Sequence, residues 1–330
     1  MFTLKFLQMH GARNFLSLPL QNFCMCALQF LQITTTMPHM KNSGILLIVG
    51  AALTWGTIGV AVALLYRVAH TDAPSVGFWR VAFSAPSLLL LSRWYVGPTF
   101  WRFERRDAPV LALMGLTFAA YQVCYFAAIP LIGVAAAVLI NICSAPVIVA
   151  VLSSIFLKEQ LTLTIGVALV GATFGALLLV GGAPQAATQM DLITGGLLAL
   201  GAGFSYSLLA LLSRSIAPRY HPVQPIAIAF TLSALLLLPV VWQRGLTLQY
   251  PPLGWSLLLY LGLVPTALGY SLYLRGMRTT PATISAIVAL LEPLISTLCA
   301  VLFLGETLLW NGVVGGVLLV GSVAVLYWKQ

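Results

Sequence analysis

Charge is missing from most of the length of this chain. Asp, Glu, Lys and Arg are absent from residues 42–66, 108–157, 160–190, 192–213, 222–243, 245–274 and 307–328. A helix needs about 20 apolar residues to cross the hydrocarbon core of a bilayer. The 108–157 run is long enough for two crossings, and Pro130-Leu131-Ile132-Gly133 stands where a turn would divide it. Lipid offers the backbone no hydrogen-bond partner, so such segments are expected to be helices. A barrel strand would alternate polar and apolar residues, and these runs do not. The spacing predicts an all-α integral membrane protein with ten crossings, at roughly 42–66, 75–95, 108–128, 132–157, 161–181, 192–213, 223–242, 253–274, 281–304 and 307–328.

With 60% hydrophobic and 7% charged residues, the formal charge of +9 invites a nucleic-acid reading. Placement argues against it, because the basic residues sit in short loops beside apolar segments and form no basic helix. If residue 41 is cytoplasmic, that face collects Lys41, Arg93, Arg102, Arg105, Arg106, Lys158, Arg214, Arg219, Arg275, Arg278 and Lys329. The other face keeps only Arg67 and Arg244. The positive-inside rule therefore predicts a cytoplasmic-membrane protein with both ends of the ten-helix core in the cytoplasm.

Residues 1–40 fit this pattern poorly. They are apolar but interrupted by Arg13, Pro19, Gln21 and Asn22, without a signal-peptide cleavage signature. They read as an interfacial extension, or as upstream of a true start at Met37 or Met40. Cys24-Met25-Cys26 lacks zinc-ligand spacing, and Cys124, Cys143 and Cys299 lie in apolar segments as small hydrophobes. No metal site is expected.

At a shift of 147 the chain resembles itself. Pro146 maps onto Pro293, Phe156-Leu157 onto Phe303-Leu304, Glu159 onto Glu306 and Gly115 onto Gly262. Five helices per copy is an odd number, so the second copy enters the membrane from the opposite face. The expectation is two inverted five-helix repeats, 41–182 and 183–330, an architecture of many secondary transporters.

Leu291-Glu292-Pro293 and Leu304-Gly305-Glu306 resemble the drug/metabolite transporter superfamily, in its EamA-type branch. Thr280-Pro281-Ala282-Thr283, Leu53-Thr54-Trp55-Gly56 and Phe78-Trp79-Arg80 fit the same pattern. The first copy carries the weaker version, Ala145-Pro146 and Lys158-Glu159, so any acidic role at the Glu292 position is single. The resemblance covers about 41–328. It implies a ten-helix carrier that exports amino acids, other small metabolites or drugs.

Glu292 is the first candidate for the substrate pathway. An ionisable group inside a crossing costs about 2.5–3.5 kcal/mol on insertion scales and faces a cavity or partner. Ser285, Ala289, Glu292 and Ser296 share one helical face. A protonatable or amine-binding carboxylate and a structural one both fit. Arg80, near the outer end of the second helix, either snorkels to the headgroups or contacts a substrate carboxylate. Trp55, Trp79, Tyr121, Tyr125, Tyr206, Tyr270 and Tyr273 offer an apolar lining with placed polar tips, with core packing as the plainer reading. Asn141 joins them, as a pocket contact or an interhelical hydrogen bond. Pro146 and Pro293 are expected helix breaks. Trp94, Tyr95, Trp101, Trp242, Tyr250, Trp310, Tyr327 and Trp328, near segment ends, read as an interfacial belt. Glycines 166, 171, 175, 312, 315 and 316 read as packing or dimer faces.

No phosphate-cradling loop, no His in a core crossing and no Ser/His/Asp set is present, so neither cofactor nor covalent catalysis is expected. The expected partners are a small-molecule substrate, membrane lipid and protons, in a monomer or homodimer. An integral-membrane enzyme, or a structural or receptor subunit, is the rival class; short loops poor in charge and His disfavour the enzyme.

Overall fold

The computed structural model describes residues 43–180, 188–305 and 310–329. The expected extension at 1–40 and the repeat boundary at 182/183 lie outside them. Ten apolar helices are present among the described residues: α1 (Ser43–Val68), α2 (Ala73–Val96), α3 (Arg105–Ile132), α4 (Val134–Phe156), α5 (Leu163–Val180), α6 (Gln189–Ile216), α7 (Val223–Gln243), α8 (Pro252–Gly276), α9 (Ala282–Phe303) and α10 (Trp310–Trp328). At 1.5 Å per residue, even the shortest rises about 27 Å, close to the bilayer core.

Local chemistry explains the ends. Asp72 caps α2 by accepting from the Ser75 amide at 2.9 Å. Thr188 caps α6 by accepting from Asp191 N at 3.0 Å. Gly133 alone joins α3 to α4 at φ 82°, ψ 159°, a region open to glycine and little else. Pro130, three residues earlier, is still inside α3.

The halves interlock in an exchange-symmetric way. α1 packs on α8 and α9, and its repeat counterpart α6 packs on α3 and α4. α5 pairs with α10 and α2 with α7, each helix with its own counterpart. The α5–α10 crossing is tight: a Cβ on Gly175 would lie 2.7 Å from the Gly315 carbonyl oxygen. These two glycines serve packing within the chain. α2 and α7 run antiparallel and are tied at both ends. Gln224 Nε2 donates to Phe100 O at 3.1 Å, and Trp79 Nε1 donates to Thr247 O at 3.0 Å.

One face carries Arg214, Arg219, Arg275 and Arg278, and its loops are sewn together. Buried Asp107 pairs with Arg219 at 2.6 Å and accepts from the Tyr220 hydroxyl at 2.6 Å. Arg278 donates to Ala217 O at 3.0 Å and Tyr220 O at 3.2 Å, and Arg214 donates to Met277 O. Trp94, Trp101, Trp242, Trp310 and Trp328 are exposed, as an interfacial belt requires. Tyr250 departs from that belt: it is buried and hydrogen-bonded to Thr71 at 2.6 Å. Tyr95 stacks on His221, 5.4 Å between ring centroids.

Regularity is unequal between the halves. α4 and α6 run unbroken, as does α3 from Ala108 to Ile132. Pro146 therefore does not break α4, contrary to expectation. Their mutually packed counterparts α1, α8 and α9 are all interrupted. α1 is broken at Thr57, whose hydroxyl donates to Thr54 O at 2.7 Å and accepts from Tyr260 at 2.8 Å. α8 widens over Gly262–Leu268, where Pro265 has no N–H to offer the Leu261 carbonyl. The Thr266 hydroxyl fills that acceptor at 2.6 Å. α9 is interrupted at Leu290, where Pro293 withholds the bond that Ala289 O would accept, and widens again over Ala300–Leu304.

Candidate functional site

The irregular turns of α8 and α9 place two opposite charges inside the membrane-spanning bundle. Arg80 sits seven residues into α2, about 10 Å from its end. Instead of snorkelling out, its Nε points to Thr266 Oγ1 at 3.4 Å, the hydroxyl that fills the gap left by Pro265. Glu292 follows the Leu290 break by two residues. Both residues are half-buried. Among the described residues the ion pairs are Arg106–Glu104 and Arg219–Asp107. Arg80 and Glu292 feel each other's field without touching.

A continuous aromatic array surrounds them. Trp55 of α1 packs on Tyr270 and Tyr273 of α8 at 5.1 and 5.3 Å. Phe118 of α3 meets Tyr270 edge-on at 5.5 Å and Tyr121 at 5.9 Å. Tyr121 in turn neighbours Tyr206 at 6.1 Å and Tyr125 at 6.0 Å. Tyr121, Tyr125 and Tyr270 each lie within electrostatic range of both Arg80 and Glu292. Tyr206 neighbours Tyr273 and lies within range of Glu292. Asn141 of α4 stands beside Tyr121.

Two buried polar atoms in this array have no hydrogen-bond partner among the described residues, Trp55 Nε1 and Asn141 Oδ1, whereas the Tyr273 hydroxyl has Tyr206 beside it. Leaving a buried polar group unmatched costs about 1–3 kcal/mol. Close backbones confine both of these atoms. A Cβ on Gly269 would stand 2.7 Å from Trp55 Nε1, and one on Gly203 would stand 3.6 Å from Asn141 Oδ1. A donor, an acceptor, a cation and an anion thus converge on one region.

Trp79 stands apart from this group. Its N–H is taken by Thr247 O, and its ring packs on Trp255 at 5.0 Å, on the face away from the arginine cluster. Near it a cavity of about 650 Å³ opens among Tyr66–His70, Leu246–Gln249 and Pro251. Tyr66 on its wall lies within electrostatic range of Tyr125.

The contacts of α9 give the region a direction. α4 packs on α9 chiefly through Ala282–Ala289, at the arginine-rich end. Farther along, Leu291–Cys299 keeps the contacts with α1 and α5 that Ala282–Ala289 also makes, but largely loses α4. α4 and α9 are therefore closed on each other toward the arginine-rich face and make few contacts toward the other. Sequence reasoning missed Thr266 as the Arg80 partner, although it shares a face with Tyr270 and Tyr273. It also missed Phe118, which looked like any apolar residue of α3.

Ten helices in two inverted copies around an uncommitted polar centre define a multi-pass membrane transporter. The comparisons with known proteins agree. The chain belongs to the EamA-like transporter family, whose model matches residues 42–181 and again 193–328. Uncharacterized transporter YwfM of Bacillus subtilis is 32% identical over 78% of this chain and 84% of its own length. Pseudopaline exporter CntI of Pseudomonas aeruginosa is 28% identical, covering 87% of this chain and 96% of that protein. Threonine/homoserine exporter RhtA of Escherichia coli is 28% identical, covering 80% and 84%. A crystal structure superposes on 88% of this chain with a TM-score of 0.77 at 19% identity, which shows the fold alone.

Proposed function

We propose that the protein exports small zwitterionic metabolites, amino acids and related compounds, by alternating access across the cytoplasmic membrane. The observation that carries this reading is the unpaired Arg80 and Glu292 in one aromatic-lined region. A zwitterion supplies the missing counter-charge to each: its carboxylate goes to Arg80 and its ammonium to Glu292. Trp55 Nε1 and Asn141 Oδ1 offer a spare donor and a spare acceptor for side-chain polar groups. The rings of Tyr121, Tyr206 and Tyr270 cover the apolar part. Two relatives bear exporter names, which supports outward flux.

The arginine-rich face is cytoplasmic by the positive-inside rule. The cavity side then faces outward, and the splay of α4 from α9 describes a state open to the exterior. Protons are the coupling ion in this reading, with Glu292 alternating between proton and substrate amine, and the unit is a monomer or homodimer. Net direction needs that coupling, because a carrier alone equalises concentrations.

The test is flux of labelled threonine, homoserine and other amino acids in proteoliposomes with and without a pH gradient. Loss of the Arg80 charge in Arg80→Met should cut flux at least about tenfold, since a buried charge pair contributes more than the 1.4 kcal/mol that a factor of ten requires. Glu292→Gln should fold normally and lose its response to the pH gradient. Retained pH dependence in Glu292→Gln would reject proton coupling. Unaltered flux in both variants would remove the two charges from the pathway.

A further inference from the structure

The shut face is held by a contact that the transport reading does not use. α4 ends at Phe156, and Lys158 then takes the left-handed conformation at φ 55°. Glu159 N returns to Ser153 O at 3.2 Å, so the chain doubles back on the helix end. This turn aims the Glu159 side chain across the half-to-half boundary at the first turn of α9. Its Oε1 accepts from Ala282 N at 2.7 Å, and its Oε2 accepts from Thr283 N at 3.1 Å and Thr283 Oγ1 at 3.0 Å. One turn back, Ser153 Oγ lies 2.6 Å from Thr283 Oγ1. Both orphan amides and the hydroxyl of one half are thus satisfied by a single carboxylate from the other.

The segment so gripped is Ala282–Ala289, every residue of which is buried, and it is the part of α9 through which α4 makes its main contact. It ends at the Leu290 interruption, two residues before Glu292. Other inter-half ties join the start of α3 to the α6–α7 connection on this face, the start of α2 and Thr71 to the α7–α8 connection on the other, and α1, α2 and α4 to α8 and α6 within the bundle. Those ties are present at both ends of the bundle, so they do not distinguish its shut end from its splayed end. The Glu159 grip lies at the shut end and seats directly on the segment that closes it.

We propose that Glu159 is the latch of the gate on the arginine-rich face. While its carboxylate holds Ala282 and Thr283, that gate is shut. Release of those three hydrogen bonds lets Ala282–Ala289 leave α4 and opens the pathway to that side. This inference rests on the alternating-access reading, but one arm of its test needs no substrate.

In that arm Ser285→Cys, on the Glu292 side of the segment and fully buried here, is placed in the full chain with its native cysteines replaced. An impermeant maleimide is applied to the arginine-rich face of reconstituted vesicles. Adding Glu159→Gln, which removes the charge and replaces one acceptor with a donor, should accelerate labelling at least about fivefold, a shift of about 1 kcal/mol in the gate equilibrium. Unchanged labelling in well-folded, monodisperse protein overturns the latch. In the second arm Glu159 stays in place and Ser153→Cys/Thr283→Cys is oxidised to join the two helices. Flux should stop on cross-linking and return on reduction; flux through the cross-linked protein also overturns it. Wild-type protein without flux for any amino acid would remove the transport reading and leave the labelling arm to decide the latch.

Discussion

A single added methyl group at the α5–α10 crossing should separate packing glycines from incidental ones. In Gly175→Ala the new Cβ stands 2.7 Å from the Gly315 carbonyl oxygen and 3.1 Å from both Leu319 Cγ and Leu319 N. Carbon–oxygen contacts normally settle at about 3.3–3.6 Å, so the helices must part by about 0.6–0.9 Å. The clash is with backbone and has no rotamer to escape into. Gly315 is equally confined, since its own Cβ would meet Gly175 O at 2.5 Å. Overpacking of this kind costs about 1–3 kcal/mol, and the widened seam forfeits dispersion along its length. Gly166, on the same α5, has nothing within 4 Å of its would-be Cβ. There the change to Ala should be neutral, or gain up to about 1 kcal/mol from helix propensity. The two variants should then differ by about 2–3 kcal/mol. At about 2–4 °C per kcal/mol, the scale for chains of 150–250 residues, this is roughly 5–10 °C in apparent Tm. The assay is thermal unfolding in detergent followed by tryptophan fluorescence. Midpoints for Gly175→Ala and Gly166→Ala within about 1 °C of each other, well inside that scale, would refute the packing argument.

Two further perturbations test the arginine-rich face. Asp107→Ala strips Arg219 and the Tyr220 hydroxyl of their acceptor. Removing one member of a buried pair costs about 3–5 kcal/mol, and the one-third exposure of Arg219 reduces this to about 2–3 kcal/mol; a Tm equal to wild type would show the network to be idle. His221 is stacked on Tyr95, and burial, then the nearby Arg278 and Arg275, hold its imidazole pKa below the usual 6.5. The neutral ring is the folded form, so its contribution is complete above about pH 6.5 and is lost as pH falls through the lowered folded-state value. His221→Phe keeps the stacked ring without the proton. It should lose less stability than wild type between pH 7 and 5, read as the difference in Tm; identical acid losses would discount His221.

The ten crossings could be read directly, because exclusion of charge from the bilayer core is a one-dimensional constraint that appears as runs of uncharged residues. The inverted repeat could be read as well, since Pro146/Pro293 and Glu159/Glu306 match at one shift in a composition where apolar identities carry little weight. Direction around a helix was harder. Trp55 and Trp79 both lie inside crossings, yet one enters the central array and the other satisfies its N–H at a loop carbonyl. In a helix apolar on all sides, no amphipathic stripe tells inward from lipid-facing. The prolines show the same limit: Pro293 follows a break at Leu290 whereas Pro146 leaves α4 continuous. Sequence reasoning used Glu159 only as the repeat match of Glu306 and did not single out Asp107, and only the tertiary fold brings α9 and Arg219 to them.

The contrast between the continuous α3–α4–α6 trio and the interrupted α1–α8–α9 trio has a kinetic consequence. Duplication supplied one blueprint for two trios of helices, but only one trio is built on jointed beams. Bending a jointed helix and tilting a rigid one meet different barriers, so the two half-cycles are expected to run at unequal speeds. Equal substrate loading from either side would then give unequal initial turnover, while the resting distribution still obeys the gradients alone.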